Sequence, residues 1–180
     1  IIVDSVSKRY SACGARIGFI MSDNDEFIYE IRKLCQMRLA VSSVDQMAAA
    51  KLFKLDTGFF DKILREYEGR RDTVYEKLGH RDDIIAKKPT GAFYYVLKLP
   101  VIDAEHFIRW MITEFGKDGE SVVLTPANDF YLDPENGKDE VRLAYVLNQK
   151  DLARAADVLL AGIDEYKKEH PENIKEEFKK

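Results

Sequence analysis

The sequence predicts a mixed α/β chain in three parts: a front α/β piece, one long amphipathic helix and a rear α+β domain. Three observations lead to this. Two short apolar runs, Ile1 to Val6 and Arg16 to Met21, have strand length and flank a polar loop over Ser7 to Gly14. From Thr57 an apolar stripe at helical spacing (Phe60, Ile63, Leu64, Tyr67, Val74, Leu78) leaves Glu66, Glu68, Arg70 and Arg71 outside it. After Gly79 the pattern changes to strands mixed with helices. Residues 1–55, 56–78 and 79–170 are therefore read as front piece, connecting helix and rear domain, with 171–180 a charged tail expected to fray.

The elements follow in order. The apolar opening Ile1-Ile2-Val3 reads as a buried strand already under way, and with no initiating methionine it implies a truncated product. Ser22-Asp23-Asn24-Asp25 is a turn and helix N-cap, after which Phe27, Ile28, Ile31, Leu34 and Cys35 recur at helical spacing to about Arg38. Ser42 or Ser43 caps a second helix whose Ala48-Ala49-Ala50 allows close packing. Pro89-Thr90-Gly91 turns into an aromatic strand, Ala92 to Leu97, ended by Pro100. Asp103 caps a helix with Phe107, Ile108, Met111, Ile112 and Phe115 on one face. Val122 to Leu124 and Glu140 to Val146 read as strands, and Asp151 to about Lys168 as a final amphipathic helix.

With 180 residues and 46% hydrophobic content, the chain is long and apolar enough to bury a substantial core. Its 28 basic and 32 acidic residues interleave, which leaves no electrostatic footprint for nucleic acid and favours small-molecule or protein partners. No apolar run approaches the roughly 20 residues of a membrane span, and no signal-like segment opens the chain. Cys13 and Cys35 are too few for a disulfide framework and read as reduced packing residues in a cytoplasmic setting. His80, His106 and His170 lack metal-ligand spacing, so no metal is expected. Asp82-Asp83 and Glu176-Glu177 read as solvated charge pairs, Trp110 as core, and Phe93, Tyr94 and Tyr95 as strand core rather than cleft wall.

The most informative stretch is Ser5-Val6-Ser7-Lys8 followed by Gly14-Ala15-Arg16-Ile17-Gly18. It places an amine, two hydroxyls and a guanidinium on one strand-loop-strand unit. Those groups suit an aldehyde cofactor carrying a phosphate, with the lysine to bond the aldehyde and the other donors to hold the dianion. A solvated surface lysine beside a loop arginine is the plain alternative. Ser5-x-x-Lys8 also matches the serine-lysine pair of penicillin-binding proteins and β-lactamases, and Ser22-Asp23-Asn24 their second motif. That match fails on context, because Ser5 ends an apolar strand and Lys88-Pro89-Thr90-Gly91 interrupts the required Lys-Thr-Gly.

The order and spacing resemble the lysine signature of fold-type I pyridoxal-phosphate enzymes, specifically the class I/II aminotransferases of aspartate aminotransferase type, in which an arginine lies eight positions after the lysine. Four further segments resemble the family in its own order: Ser43 to Leu52; Tyr67-x-x-Arg70-Arg71-Asp72; Pro89-Thr90-Gly91-Ala92-Phe93-Tyr94; and Val141-Arg142-Leu143-Ala144-Tyr145. Thr125-Pro126 leading to Phe130 is close to a fifth, with Ala127 where glycine is usual.

The resemblance implies that the front piece is the C-terminal part of a large cofactor-binding domain, joined by a long helix to a small α+β domain. It implies pyridoxal 5′-phosphate (PLP) as cofactor, Lys8 as the catalytic lysine bonded to it, Ser5 and Arg16 as phosphate ligands, and Arg142 as the clamp on the substrate α-carboxylate. The pyridine-binding aspartate, with its tyrosine and asparagine neighbours, would lie upstream of Ile1. The implied activity is transamination between an amino acid, aspartate or glutamate, and a 2-oxo acid, in a homodimer when full length. An aromatic- or alanine-type transaminase is the alternative within the family, and Arg38 is the candidate reader of a second carboxylate. Without the upstream residues the isolated chain is expected to be inactive, and a non-catalytic interaction module is the remaining alternative.

Overall fold

The computed structural model describes residues 1–133 and 135–179. They fall into two compact units, Ile1–Phe60 and Asp61–Lys180.

In the front unit, β1 (Ile2–Ser5) and β2 (Gly18–Met21) form an antiparallel pair in the register Ile2↔Met21 to Ser5↔Gly18. Ser7 to Gly14 departs from the expected loop. Val6–Arg9 makes one helical turn, α1, and Cys13–Ala15 a 3-10 turn, because the Val6 N–H donates to the Ile17 carbonyl and the Tyr10 N–H to the Val6 carbonyl. Helix α2 (Asp25–Met37) starts at Asn24, whose Oδ1 accepts from the Phe27 N–H at 2.9 Å. Helix α3 (Ser43–Leu52) is capped by Ser42.

The expected burial of the opening strand is overturned, since Ile2 is 58% and Val3 72% exposed. Among the described residues β1 pairs only with β2, and a two-stranded ribbon has too little neighbouring surface to cover its own apolar side chains. Cys13 and Cys35 are exposed free thiols rather than packing residues. The fully buried side chain near the lysine is Val6. Beside it Tyr10 packs edge-on against Phe53, with ring centroids 5.4 Å apart, and Phe53 meets Phe19 at 5.6 Å.

Helix α4 (Gly58–Leu78) is as long as its stripe predicts, but only Val74 and Leu78 are buried, while Ile63 and Leu64 stay exposed. In the rear unit β3 (Ile85–Ala86), β4 (Tyr94–Lys98), β5 (Thr125–Pro126) and β6 (Glu140–Ala144) form an antiparallel sheet in the order β3-β4-β6-β5. Val122 to Leu124 is not the strand; pairing begins one residue later, with Thr125↔Arg142 and Pro126↔Val141. Helices α5 (Ala104–Thr113) and α6 (Gln149–Glu169) supply the other side of the core. Strand alternation sends Tyr95, Leu97, Val141 and Leu143 into that core against Phe107, Met111, Leu159 and Ile163. Ile112 is exposed and Phe115 lies past the end of α5, which shortens the expected face. Trp110 is buried as expected, its indole N–H donating to Glu169.

The charged tail is docked rather than frayed. Ile174 is 1% exposed and bridges to Val101, and the Lys175 N–H donates to the Pro100 carbonyl. One buried isoleucine and two backbone hydrogen bonds, the second from the Ile102 N–H to the Asn173 carbonyl, outweigh the charge that surrounds them in sequence. His106 and His170, distant in sequence, meet with ring centroids 5.2 Å apart beside Tyr166.

Asp83 also departs from its reading as a solvated charge. Its carboxylate takes two bonds from Arg81, at 2.7 and 2.6 Å, and a third from Lys167 of α6. Burial pushes its pKa up, yet the Arg81 and Lys167 bonds outweigh burial and hold it at about 2. The folded pKa lies below the unfolded value of about 3.9, so this stabilisation is complete above about pH 4 and is lost as pH falls toward 2. Asp83→Asn is therefore expected to lower stability by about 2 kcal/mol at neutral pH. The variant should also flatten the fall of the urea midpoint between pH 4 and pH 2. Tyr95 gives a second prediction, because its buried hydroxyl has no hydrogen-bond partner among the described residues. Removing an unpaired buried donor costs nothing, so Tyr95→Phe should keep or raise the thermal midpoint; a lowered midpoint would reveal a partner for that hydroxyl.

Candidate functional site

The β1–β2 register decides where the lysine loop opens. Pairing Ser5 with Gly18, extended by the Val6 to Ile17 bond, closes residues 7–16 into one loop at one end of the ribbon. Ser5, Lys8 and Arg16 thereby share that end, although eleven positions separate the first from the last. A Cβ on Gly18 would stand 3.2 Å from the Asp4 carbonyl oxygen, so the close pairing favours glycine there. Asp4 braces the loop from the strand side. Its carboxylate accepts from the Ser5 N–H at 2.7 Å and from Arg9 Nε at 3.0 Å. The Arg9 side-chain bond, then the Ser5 bond, holds the Asp4 carboxyl below its usual range. No local sequence pattern marks this Asp4–Arg9 brace, which the turn of α1 brings together.

Ser5 precedes α1 at the N-cap position, but its hydroxyl makes no capping bond and stays available. Lys8 is exposed on the turn. Arg16 adopts a left-handed conformation, φ 54°, which a non-glycine residue holds only when its surroundings impose it. Its Nη1 donates to the Cys13 carbonyl at 3.2 Å, and no carboxylate among the described residues pairs with it. A cleft of about 1190 Å³ opens between this loop and α2, with Ser5, Arg16, Gly18 and Arg38 in its wall. Lys8 lies outside that wall.

Arg142 sits in the rear unit on β6, opposite Val96 of β4 and Thr125 of β5. Its neighbours Val141 and Leu143 point into the core, so Arg142 projects from the opposite face of the sheet. The guanidinium carbon lies 4.7 Å from the Tyr94 ring centroid and 4.6 Å from that of Phe130. No carboxylate among the described residues pairs with it. A half-buried arginine lacking an internal anion is suited to receive one from a ligand, and its planar fork matches a carboxylate.

The other family-like segments of the rear unit hold structure around this sheet. Tyr67 of α4 faces Phe93 and Tyr145, Arg70 Nη1 donates to the Val146 carbonyl at 2.7 Å, and Asp72 pairs with both Arg71 and Lys88. Ala92, at φ 58°, has its carbonyl held by the Tyr145 hydroxyl at 2.8 Å, so the strand begins at Tyr94 rather than Ala92. Among the described residues no cluster of three or more His, Cys, Asp or Glu side chains could hold a metal, and no helix is long and apolar enough to cross a membrane.

Comparison with known proteins shows the family and the fold. The model of the family "Aminotransferase class I and II" matches residues 1–159. An aspartate aminotransferase of Pyrococcus horikoshii is 26% identical over 160 residues, covering 86% of this chain and 39% of the relative. A (5-formylfuran-3-yl)methyl phosphate transaminase of Methanocaldococcus jannaschii is 29% identical over 154 residues, covering 84% and 39%. The crystal structure of an aspartate aminotransferase from Rhodobacter sphaeroides superposes with a TM-score of 0.78 at 21% identity, over 91% of this chain and 40% of that one, a likeness of fold. The chain spans about two fifths of the length of the relatives it matches. With the family model covering most of its residues, the chain belongs to the class I and II aminotransferases.

Proposed function

We propose that this chain carries the lysine loop and the carboxylate clamp of a PLP-dependent aminotransferase that exchanges an amino acid with a 2-oxo acid. The family is PLP-dependent. The observation that carries the reading is the donor set at one end of the β1–β2 ribbon, where an amine, an uncommitted hydroxyl and a guanidinium without a carboxylate partner share one loop. That set fits an aldehyde bearing a phosphate dianion: Lys8 would bond the aldehyde carbon, and Ser5 and Arg16 would hold the phosphate oxygens. When bound, the cofactor supplies the electron sink for the bonds at the substrate α-carbon.

The chain's own residues would supply position and proton transfer. Lys8 Nζ, once freed by the incoming amine, would carry the proton between the substrate α-carbon and the cofactor's aldehyde carbon, in one direction with the amino acid and in the other with the oxo acid. Arg142 would orient the substrate by a bidentate pair with its α-carboxylate. An acidic substrate, aspartate or glutamate with 2-oxoglutarate, is the preferred assignment. Several relatives are named aspartate aminotransferase, and Arg38 stands in the same cleft wall as Ser5 and Arg16, where it would read a second carboxylate. A homodimeric, cytoplasmic enzyme completes the proposal.

Two experiments test it. Borohydride reduction of the PLP-loaded full-length protein followed by peptide mapping is expected to place the pyridoxyl group on Lys8; an adduct on another lysine with Lys8 unmodified would refute the assignment. Arg142→Lys keeps the charge but loses the fork, and one charge-assisted bond is worth about 1.5–3 kcal/mol. That corresponds to a loss of about tenfold to a hundredfold in kcat/KM for both amino acid and oxo acid, with PLP still bound. Wild-type kcat/KM, or loss of PLP, would remove Arg142 from the substrate site.

A further inference from the structure

Phe130 poses a problem that packing does not solve. The residue is 57% exposed, so burial is not what keeps it in place, yet several bonds fix the segment that carries it. The Ala127 N–H donates to the Glu140 carbonyl at 3.0 Å, the Phe130 N–H to the Ala127 carbonyl at 3.0 Å, and the Tyr131 hydroxyl to Glu140 Oε2 at 2.5 Å. These bonds tie the 3-10 turn Asn128–Phe130 to the first residue of β6, two positions before Arg142. From the other side, strand alternation puts Tyr94 of β4 on the same face as Arg142, diagonal to it across the ladder. The product of both constraints is a guanidinium held against two rings, at 4.7 and 4.6 Å.

We propose that Tyr94 and Phe130 are positioning residues for Arg142: by covering its guanidinium with two rings they restrict the arginine's rotamers and leave its outward N–H groups as the approach for a planar carboxylate. This rests on the reading of Arg142 as a carboxylate clamp. An arginine on a solvent-facing strand otherwise gives up considerable side-chain freedom when it binds, and restraint in the empty site removes part of that cost. The rings also displace water from the guanidinium without offering it a competing hydrogen bond, which strengthens the bonds a carboxylate makes. A carboxylate partner in the protein would also restrain the arginine but would occupy the donors that a substrate needs.

The test measures dissociation constants of acetate and succinate for the full-length protein carrying Phe130→Leu, Tyr94→Leu, both together, Phe130→Tyr, or Arg142→Lys. At the usual strength of a cation-π contact, each leucine variant should weaken carboxylate binding about threefold and the pair about tenfold, with Phe130→Tyr retaining wild-type affinity. Ring-current shielding should move the Arg142 Nε–H proton resonance upfield in ¹⁵N-arginine spectra of the wild type. The shift should shrink in each leucine variant and persist in Phe130→Tyr. With substrates, the leucine variants should raise KM while kcat changes little. If Arg142→Lys weakens both carboxylates but the leucine variants do not, the clamp stands and the positioning role is overturned. If Arg142→Lys itself leaves both affinities unchanged, the clamp reading fails and the positioning role falls with it. Should Phe130→Leu be poorly folded, Tyr94→Leu alone decides, and an unshifted Arg142 resonance in the wild type overturns the proposal without any variant.

Discussion

The antiparallel ladder between β4 and β6 is the constraint on which the rear unit depends. Its five pairs, from Tyr94↔Ala144 to Lys98↔Glu140, set every side chain of both strands to one face or the other. One face receives Tyr95, Leu97, Val141 and Leu143 and becomes the core. The other receives Tyr94, Val96 and Arg142. A slip of one residue in one strand would exchange these sets, burying an arginine and exposing the core, so the cost of mispairing protects the core and the placement of Arg142 together.

The front unit solves a different problem with fewer resources. It has two short strands, and its fully buried side chain beside the lysine is Val6. Order at the loop therefore comes from polar bonds: the Val6 to Ile17 pair, the Asp4–Arg9 brace and the left-handed turn at Arg16. This economy leaves the Lys8 amine exposed and the Arg16 guanidinium without a carboxylate partner among the described residues. A larger apolar lining would desolvate those charges before any ligand arrived to pair with them.

The two candidate sites use arginine in different surroundings. Arg16 is exposed and strained in backbone, with one bond to a carbonyl. Arg142 is half-buried on a regular strand, with aromatic rings beside it. Both lack a carboxylate partner among the described residues, in a chain whose other arginines are frequently paired, as Arg81, Arg70 and Arg154 are.

By itself the sequence determined what depends on local order. The helices and their caps at Asn24, Ser42 and Asp103 follow from short-range spacing, as does the lysine motif with its arginine eight positions on, because each of these patterns is written in consecutive residues. Tertiary structure decided what depends on partners distant in the chain. Asp83 reads as a surface charge until Lys167 approaches it, and the charged tail reads as frayed until Ile174 finds Val101. The pairing strand begins at Thr125 because β6 arrives there, and Tyr94 and Phe130 become neighbours of Arg142 only through pairing across three strands. The apolar opening shows the same limit from the other side: hydrophobicity states that a segment can be buried, while the neighbour that buries it is a property of the assembled fold.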